Sequence, residues 1–241
     1  MEDWDSASFF KIHADTPREG PGETADVAWA AEIAGLAPDA RVLDAASGPG
    51  GDMGALLRAA PDGHVTALDK HGHFIDSVRA RWGHDKRVTL KTGDYLELEG
   101  TFDFIWCAGA VYFVGIEAAL TAWAPHLAPG GAVAFSEPCL FTDMPSDGAI
   151  AFWDGYARLT DADGIADHVR AAGFDTRATR KVSDIGWETY YRGIEDRIKT
   201  LRPGADAGLL RMIEREEREI ADWRAHKSET GYLLSVVTPR S

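Results

Sequence analysis

The sequence has little of what a secreted, membrane-bound or metal-rich protein needs. Its two cysteines, Cys107 and Cys139, are too few for a disulfide framework or a four-thiolate metal site, and they are expected to be free buried thiols. No apolar run approaches the roughly 20 residues that cross a bilayer, and the acidic start MEDWDSASFF lacks the positive charge of a signal peptide. These absences predict a soluble, cytoplasmic protein with no membrane partner.

Basic residues are also in deficit. The chain has 25 Lys plus Arg against 39 Asp plus Glu, a formal charge of −14, and no cluster of basic residues. A surface of this sign repels a phosphate backbone, so no nucleic-acid partner is expected. The densest charge run, EREEREIADWR at 214–224, mixes both signs at helical spacing and predicts a solvated helix face. Nothing in the sequence fixes the oligomeric state.

Short apolar runs alternate with amphipathic segments over the first 140 residues. Strands are predicted at 41–45, 64–69, 87–92, 102–107 and 131–136. Helices are predicted at 23–36, where Pro38 is expected to close the helix, and at 51–60, 72–83 and 115–127. This alternation is typical of a doubly covered parallel sheet with its ligand site at the carboxyl ends of the strands.

The last third changes character. A helix at 163–172 leads into a predicted strand in FDTRATRKVSD, and GYLLSVVTPR at 231–240 predicts another. Two helical segments between them, 187–201 and 205–229, are expected to form a cap over the sheet. We therefore expect a single domain over 1–241, with an N-terminal lid and helix at 1–38, a cofactor-binding core at 39–138, a helical cap and sixth strand at 139–230, and a last strand at 231–241.

A glycine-rich turn follows the first predicted strand in VLDAASGPGGDM, residues 42–53. Glycine allows positive φ and close approach of the backbone to a ligand, so the turn predicts a cradle for a small molecule. No lysine follows the glycines, which excludes a Walker A loop. Met53 stands where a dinucleotide fingerprint needs its third glycine, which leaves an NAD site as a weaker alternative.

Acidic residues follow the next two strands. Asp69 ends the second strand, where a carboxylate accepts hydrogen bonds from ribose hydroxyls of either NAD or another adenosine cofactor. Asp94, after the third strand, is placed to meet an adenine amino group. Small residues from Ala108 to Ala110 follow the fourth strand and give the tail of a ligand room to approach the backbone.

In this order the motifs resemble those of class I S-adenosylmethionine-dependent methyltransferases. VLDAASGPG is similar to their first motif, ALD to their ribose acid, GDY to their adenine-side acid, FDFIWCAGAVYF to their fourth-strand motif and LAPGGAVAFSEP to their turn into the fifth strand. The resemblance spans residues 40–138. It implies a Rossmann-like α/β fold with a seven-stranded sheet, strand order 3-2-1-4-5-7-6, mostly parallel with the last strand antiparallel, and a helical lid or cap.

The resemblance also implies a cofactor, S-adenosyl-L-methionine, with S-adenosyl-L-homocysteine as product. The residues expected to bind it are Asp44, Ala46, Ser47, Gly48, Gly50, Asp69, Lys70, Asp94, Tyr95 and Ala108. Asp44 is expected to organise the glycine turn and the methionine ammonium, and Lys70 and Tyr95 to flank the adenine. Ala46 replaces the usual glycine two positions after the first-motif aspartate, and a methyl group is tolerated there if its φ is negative.

A narrower resemblance, to the UbiE-like group of small-molecule methyltransferases, comes from PREGPG at 17–22 and from the aromatic cluster around Tyr190. Candidate catalytic residues are Tyr112, Glu137 and His13. Candidate substrate-binding residues are Arg18, Trp153, Trp187, Tyr190 and Tyr191. His71 and His73 have no third partner at ligand spacing, so no metal is expected.

Alternatives to a small-molecule methyltransferase remain open from the sequence. An NAD-dependent oxidoreductase is the chief one, and a binding protein that keeps the cofactor without turnover is another. Cys139 lacks the surrounding motif of the cytosine methyltransferase nucleophile, and the Asp/Asn-Pro-Pro-Tyr tetrapeptide of amino-adenine methyltransferases is absent. Both absences favour a small-molecule acceptor over a nucleic-acid base.

Overall fold

Strands and helices alternate along the chain in the computed structural model, which describes residues 5–14, 16–156 and 158–240. The strands are β1 (Arg41–Ala45), β2 (His64–Asp69), β3 (Val88–Thr92), β4 (Phe102–Cys107), β5 (Leu127–Leu140), β6 (Thr160–Asp161), β7 (Phe174–Lys181) and β8 (Thr230–Pro239). The helices are α1 (Ser6–His13), α2 (Thr24–Ala34), α3 (Met53–Ala59), α4 (Gly72–Trp82), α5 (Ile116–Trp123), α6 (Asp147–Ala151), α7 (Ala162–Ala171), α8 (Asp184–Leu201) and α9 (Ala207–His226). Residues 1–4 of the predicted lid and residue 241 of the predicted last strand lie outside the described residues.

The strands form one sheet in the order β3-β2-β1-β4-β5-β8-β7, with the two-residue β6 beside the end of β5. Strands β1 to β5 are parallel, whereas β8 runs antiparallel to both β5 and β7. Counting the seven long strands, this is the predicted order 3-2-1-4-5-7-6, and the predicted fold class is confirmed. The division into lid, core and cap stays a prediction.

The sheet separates two apolar cores because successive strand residues point to opposite faces. On β4, Trp106 packs into one core with α2, α3, α8 and α9, while Ile105 and Cys107 pack into the other with α5 and α7. Cys107 and Cys139 are both buried as free thiols. The carboxyl ends of the parallel strands meet at one edge of the sheet, and the candidate site lies at that edge.

Several element boundaries differ from the predicted ones. Helix α2 ends at Ala34 because Gly35 takes a left-handed conformation (φ 62°), so it is this glycine cap and not Pro38 that closes the helix. Strand β5 continues to Leu140 because β8 pairs with it over its whole second half. Helix α8 begins at Asp184, where the Ser183 side chain accepts a hydrogen bond from Gly186 N at 3.0 Å.

Three elements were not predicted: α1, α6 and β6. Asp5 caps α1 by accepting from Ser8 N at 3.0 Å, and α1 then packs on both α8 and α9. Within the described ranges, no helix is both long enough and apolar enough to cross a bilayer.

Candidate functional site

The glycine turn between β1 and α3 is held open by one carboxylate. Asp69, at the end of β2, accepts from Gly48 N at 2.9 Å and from His71 N at 2.8 Å, so it joins the turn to the start of α4. Gly48 has a φ of 51°, a conformation that costs glycine little. Asp69 is buried, and the arrangement fixes its carboxylate at the wall of a cavity of about 430 Å³.

Asp44 lies at the same end of the cavity with an unusual environment. It is 3% exposed, and no described residue donates a hydrogen bond to its Oδ2. Burial, together with the neighbouring Asp52 carboxylate, raises the pKa of Asp44 well above its usual value, while Arg18 partly offsets this. A buried carboxylate oxygen without a donor suits a cationic ligand, which would supply the donor and stabilise the charge.

Asp52 was not predicted as a site residue, although it directly follows the glycines. It forms an ion pair with Arg18 and accepts a hydrogen bond from Trp106 Nε1 at 3.0 Å. Asp52 and Arg18 both line the cavity. The side chain of Arg18 therefore neutralises Asp52 at the cavity wall. The sequence signal that could have found Asp52 is its place at the N-terminus of α3, where acidic residues are favoured.

Ala46 lines the cavity and has a φ of 57°. The condition for tolerating a methyl group there, a negative φ, is not met, because the turn keeps the left-handed geometry that glycine usually provides. A side chain in this region costs about 1–2 kcal/mol. The backbone at Ala46 is therefore locally strained.

We expect Ala46→Gly to be neutral or to raise the free energy of unfolding by up to about 1 kcal/mol, because relief of the left-handed strain outweighs the extra chain entropy of glycine. Ala45→Gly is the matched control: Ala45 is fully buried in β1 and should lose stability. Urea unfolding of both variants measures the difference. A loss of stability in Ala46→Gly as large as in Ala45→Gly would contradict the strain.

Most of the predicted site residues line this one cavity. They are Arg18, Asp44, Ala46, Ser47, Gly48, Asp69, Lys70, Tyr95, Ala108, Tyr112, Trp153, Trp187 and Tyr190. Tyr95 is fixed by donating from its hydroxyl to Ala110 O at 3.2 Å. The N-terminal segment, the carboxyl edge of the sheet and the cap helices therefore meet around one space.

Gly50 and Asp94 lie outside the cavity lining. A Cβ on Gly50 would lie 2.8 Å from Val78 Cγ2, so this glycine serves the packing of the turn against α4. Asp94 is exposed and accepts from Leu96 N at 2.8 Å, which makes it a turn residue. The roles of Gly50 and Asp94 in cofactor binding stay predictions.

Glu137 also lies outside the lining of the cavity. It shares a face of β5 with Phe135 and Cys139, because residues two apart on a strand point the same way. Burial raises its pKa to about 8, against the opposing effect of Arg158. Its Oε2 has no described hydrogen-bond partner, and its charge adds to the raised pKa of Tyr112 at the cavity wall, so a role for Glu137 as a base stays a prediction.

His13 and Tyr191 support the cavity from behind. His13 Nδ1 lies 3.1 Å from Glu19 Oε2, and its Nε2 lies 3.5 Å from Glu216 Oε2. Burial lowers the pKa of His13, but the two carboxylates outweigh it and raise the pKa to about 9. Tyr191 is fully buried and donates from its hydroxyl to Glu219 Oε1 at 3.3 Å. Neither residue is in the lining.

The charge run at 214–224 is not simply a solvated face. Glu216 is 4% exposed and lines the cavity with Glu219 and Arg215, while Ile220 and Trp223 are buried in the core. Helix α9 therefore presents carboxylates to the ligand space. A buried stripe through Leu209, Met212, Glu216, Ile220 and Trp223 is the helical-wheel signal that could have found this.

Aromatic rings form the other wall of the cavity. Tyr156 was not predicted as a site residue. Its ring packs edge to face against Tyr112 and Trp153, with ring centroids 4.9 Å and 5.2 Å apart. Tyr232 stacks near Tyr112 at 6.1 Å. Burial, with Tyr156 nearby, raises the pKa of Tyr112, so its hydroxyl stays protonated.

Comparison with known proteins agrees with this geometry. Residues 42–131 match the family model described as a methyltransferase domain. A search of curated proteins found no match to the sequence. The described part of the chain also holds no group of three or more potential metal ligands.

Solved structures share the whole fold. An S-adenosylmethionine-dependent methyltransferase from Geobacter sulfurreducens, in complex with S-adenosyl-L-homocysteine, has a TM-score of 0.80 at 19% identity, covering 97% of this chain and 98% of that one. One from Thiobacillus denitrificans has a TM-score of 0.77 at 19% identity, covering 96% and 98%. YjhP from E. coli has a TM-score of 0.79 at 20% identity, covering 97% of this chain and 99% of that one. The chain thus has the fold of these methyltransferases, and its residues 42–131 match the methyltransferase-domain model.

Proposed function

We propose that this protein transfers the methyl group of S-adenosyl-L-methionine to a small molecule bound in the same cavity. The observation that carries the proposal is that two acidic side chains line one cavity. Asp44 is a buried carboxylate whose Oδ2 has no described donor, and Asp69 fixes the glycine turn. The first suits the ammonium group of the cofactor and the second its ribose hydroxyls. When bound, the cofactor supplies a methyl group on a sulfonium that a nucleophile displaces in line.

The residues of the chain would divide the work of binding. Lys70 and Tyr95 would flank the adenine, and Ala46 and Ala108 would leave room for the methionine part. The acceptor would lie against Trp153, Trp187 and Tyr190, which line the cavity. Holding two reactants in line supplies about 7–11 kcal/mol at best, so orientation by these walls is the main contribution that the chain needs to make.

The acceptor is proposed to be a small molecule because the cavity has a volume of about 430 Å³ and is lined by residues of α1, α8 and α9 as well as by the edge of the sheet. The acidic composition supports this reading, since a charge of −14 disfavours nucleic acid. The narrower UbiE-like grouping stays a prediction from the N-terminal and aromatic segments. A cytoplasmic location is likewise proposed from the sequence.

Calorimetry with S-adenosyl-L-homocysteine and NADH side by side tests the cofactor. We expect S-adenosyl-L-homocysteine to bind at least tenfold more tightly, because the cavity offers a carboxylate for its ammonium group. Preferential NADH binding would support an oxidoreductase instead. Transfer of a radiolabelled methyl group to any member of a broad small-molecule panel then separates an enzyme from a binding protein.

A further inference from the structure

The cap end of the cavity combines aromatic walls with carboxylates. Tyr112, Tyr156 and Trp153 meet at interplanar angles of 80° and 83°, so their rings form adjoining walls of a box. Tyr190 and Glu219 line the same space from α8 and α9. Aromatic faces attract cations, and this attraction grows when the cation is removed from water.

Charge at this end of the cavity favours a cation as well. Glu19, Glu216 and Glu219 line it beside Arg215, and His13 pairs with Glu19 and Glu216 from behind the wall. Over the whole described lining, six Asp and Glu side chains outnumber the three Lys and Arg side chains, which are Arg18, Lys70 and Arg215. Glu216 is 4% exposed, and its 3.5 Å contact with His13 is longer than a normal hydrogen bond. A further cation would balance the remaining negative charge.

Glu219 is the carboxylate best placed to touch a bound molecule. Its Oε1 accepts from the Tyr191 hydroxyl at 3.3 Å, which holds the side chain at the cavity wall. Burial and the neighbouring Glu216 raise its pKa to about 7, while His13, Tyr191 and Arg215 oppose this. The carboxylate therefore exchanges a proton readily near neutral pH.

We propose that the acceptor is an aliphatic amine attached to an apolar or aromatic group, with its ammonium form bound by Glu219 inside the aromatic box. This inference rests on the proposed methyl transfer and adds the class of substrate. The apolar group would lie against Trp153 and Trp187, which leaves the nitrogen facing Glu219.

The same placement makes Glu219 the proton acceptor. It takes one proton from the ammonium, which frees the lone pair on nitrogen. That lone pair forms the new nitrogen–carbon bond as the methyl–sulfur bond breaks, and the sulfur keeps the electron pair of the broken bond. The product is a methylated ammonium, and Glu219 returns its proton to solvent.

Three matched probes test the proposal by calorimetry on the full chain saturated with S-adenosyl-L-homocysteine: phenethylamine, 2-phenylethanol and phenylacetate. We expect the amine to bind at least tenfold more tightly than the alcohol, and the carboxylate most weakly. Glu219→Gln should remove the preference for the amine and change alcohol binding less than twofold. Glu217→Gln, an exposed neighbour paired with Arg202, is the control and should keep the preference.

Equal or tighter binding of the alcohol or the carboxylate by the wild-type protein would overturn the proposal, as would absence of amine binding at millimolar concentration. An unchanged preference in Glu219→Gln would also overturn it. Glu219→Asp should retain part of the preference, which separates loss of charge from loss of fold. The heat of S-adenosyl-L-homocysteine binding, measured first, reports on the proposed function separately from the choice of acceptor.

Discussion

Asp69→Ala should weaken the binding of S-adenosyl-L-homocysteine by roughly 100-fold, because it removes the proposed charge-assisted acceptor for the ribose and releases the glycine turn. The carboxylate bonds both Gly48 N and His71 N, so two backbone segments lose their fixed positions together. Calorimetry at constant pH and salt measures the loss.

Two further variants separate the contributions of Asp69. Asp69→Asn keeps an acceptor oxygen without the charge and should lose less affinity than Asp69→Ala. Asp76→Ala is the matched control, since Asp76 is an exposed carboxylate of α4 paired with Arg79. Unchanged affinity in Asp69→Ala, with the fold intact by circular dichroism, would remove the proposed role of the residue.

His13→Gln should lower the free energy of unfolding by about 3 kcal/mol at pH 6, the equivalent of a pKa raised from 6.5 to about 9. A raised pKa in the folded state means that the contribution is complete below the unfolded pKa of 6.5. It is then lost as the pH rises through about 9. The difference between wild type and variant should therefore shrink from pH 6 to pH 10.

Urea unfolding followed by tryptophan fluorescence at pH 6, 8 and 10 checks this expectation. His84→Gln, at an exposed position, serves as the control. A difference between wild type and His13→Gln that stays constant with pH would show that the imidazole acts by packing, as in its 4.0 Å stacking on Phe9, and not by charge.

The parallel sheet could be predicted closely because each strand is a local apolar run that ends at a turn signal. The bounds of β1, β2 and β4 equal the predicted ones. Helix α1 was missed because SASFFKIH has little intrinsic periodicity, and its stability comes from Asp5 at its N-terminus and from packing on α8 and α9.

The two ends of the site differed in how far sequence could predict them. The glycine turn directly follows β1, and Asp69 is the last residue of β2, so a local strand-and-turn pattern marks each of them. Both line the cavity. The cap end assembles from residues as far apart as Phe9 and Tyr232, so no local motif marks it. Glu216 was not predicted as a cavity residue, because a run of acidic and basic residues at helical spacing is typical of a solvent-exposed helix face. The buried stripe of α9 nevertheless passes through Glu216.

The match to the methyltransferase-domain model ends at residue 131, whereas Trp153, Tyr190, Glu219 and Tyr232 all come later in the chain. Substitutions in the predicted cap can therefore change one end of the cavity without altering the glycine turn. If the proposed methyl transfer holds, replacing the predicted cap at 139–230 on the same sheet should change which acceptor is methylated, so this segment is the natural target for altering selectivity.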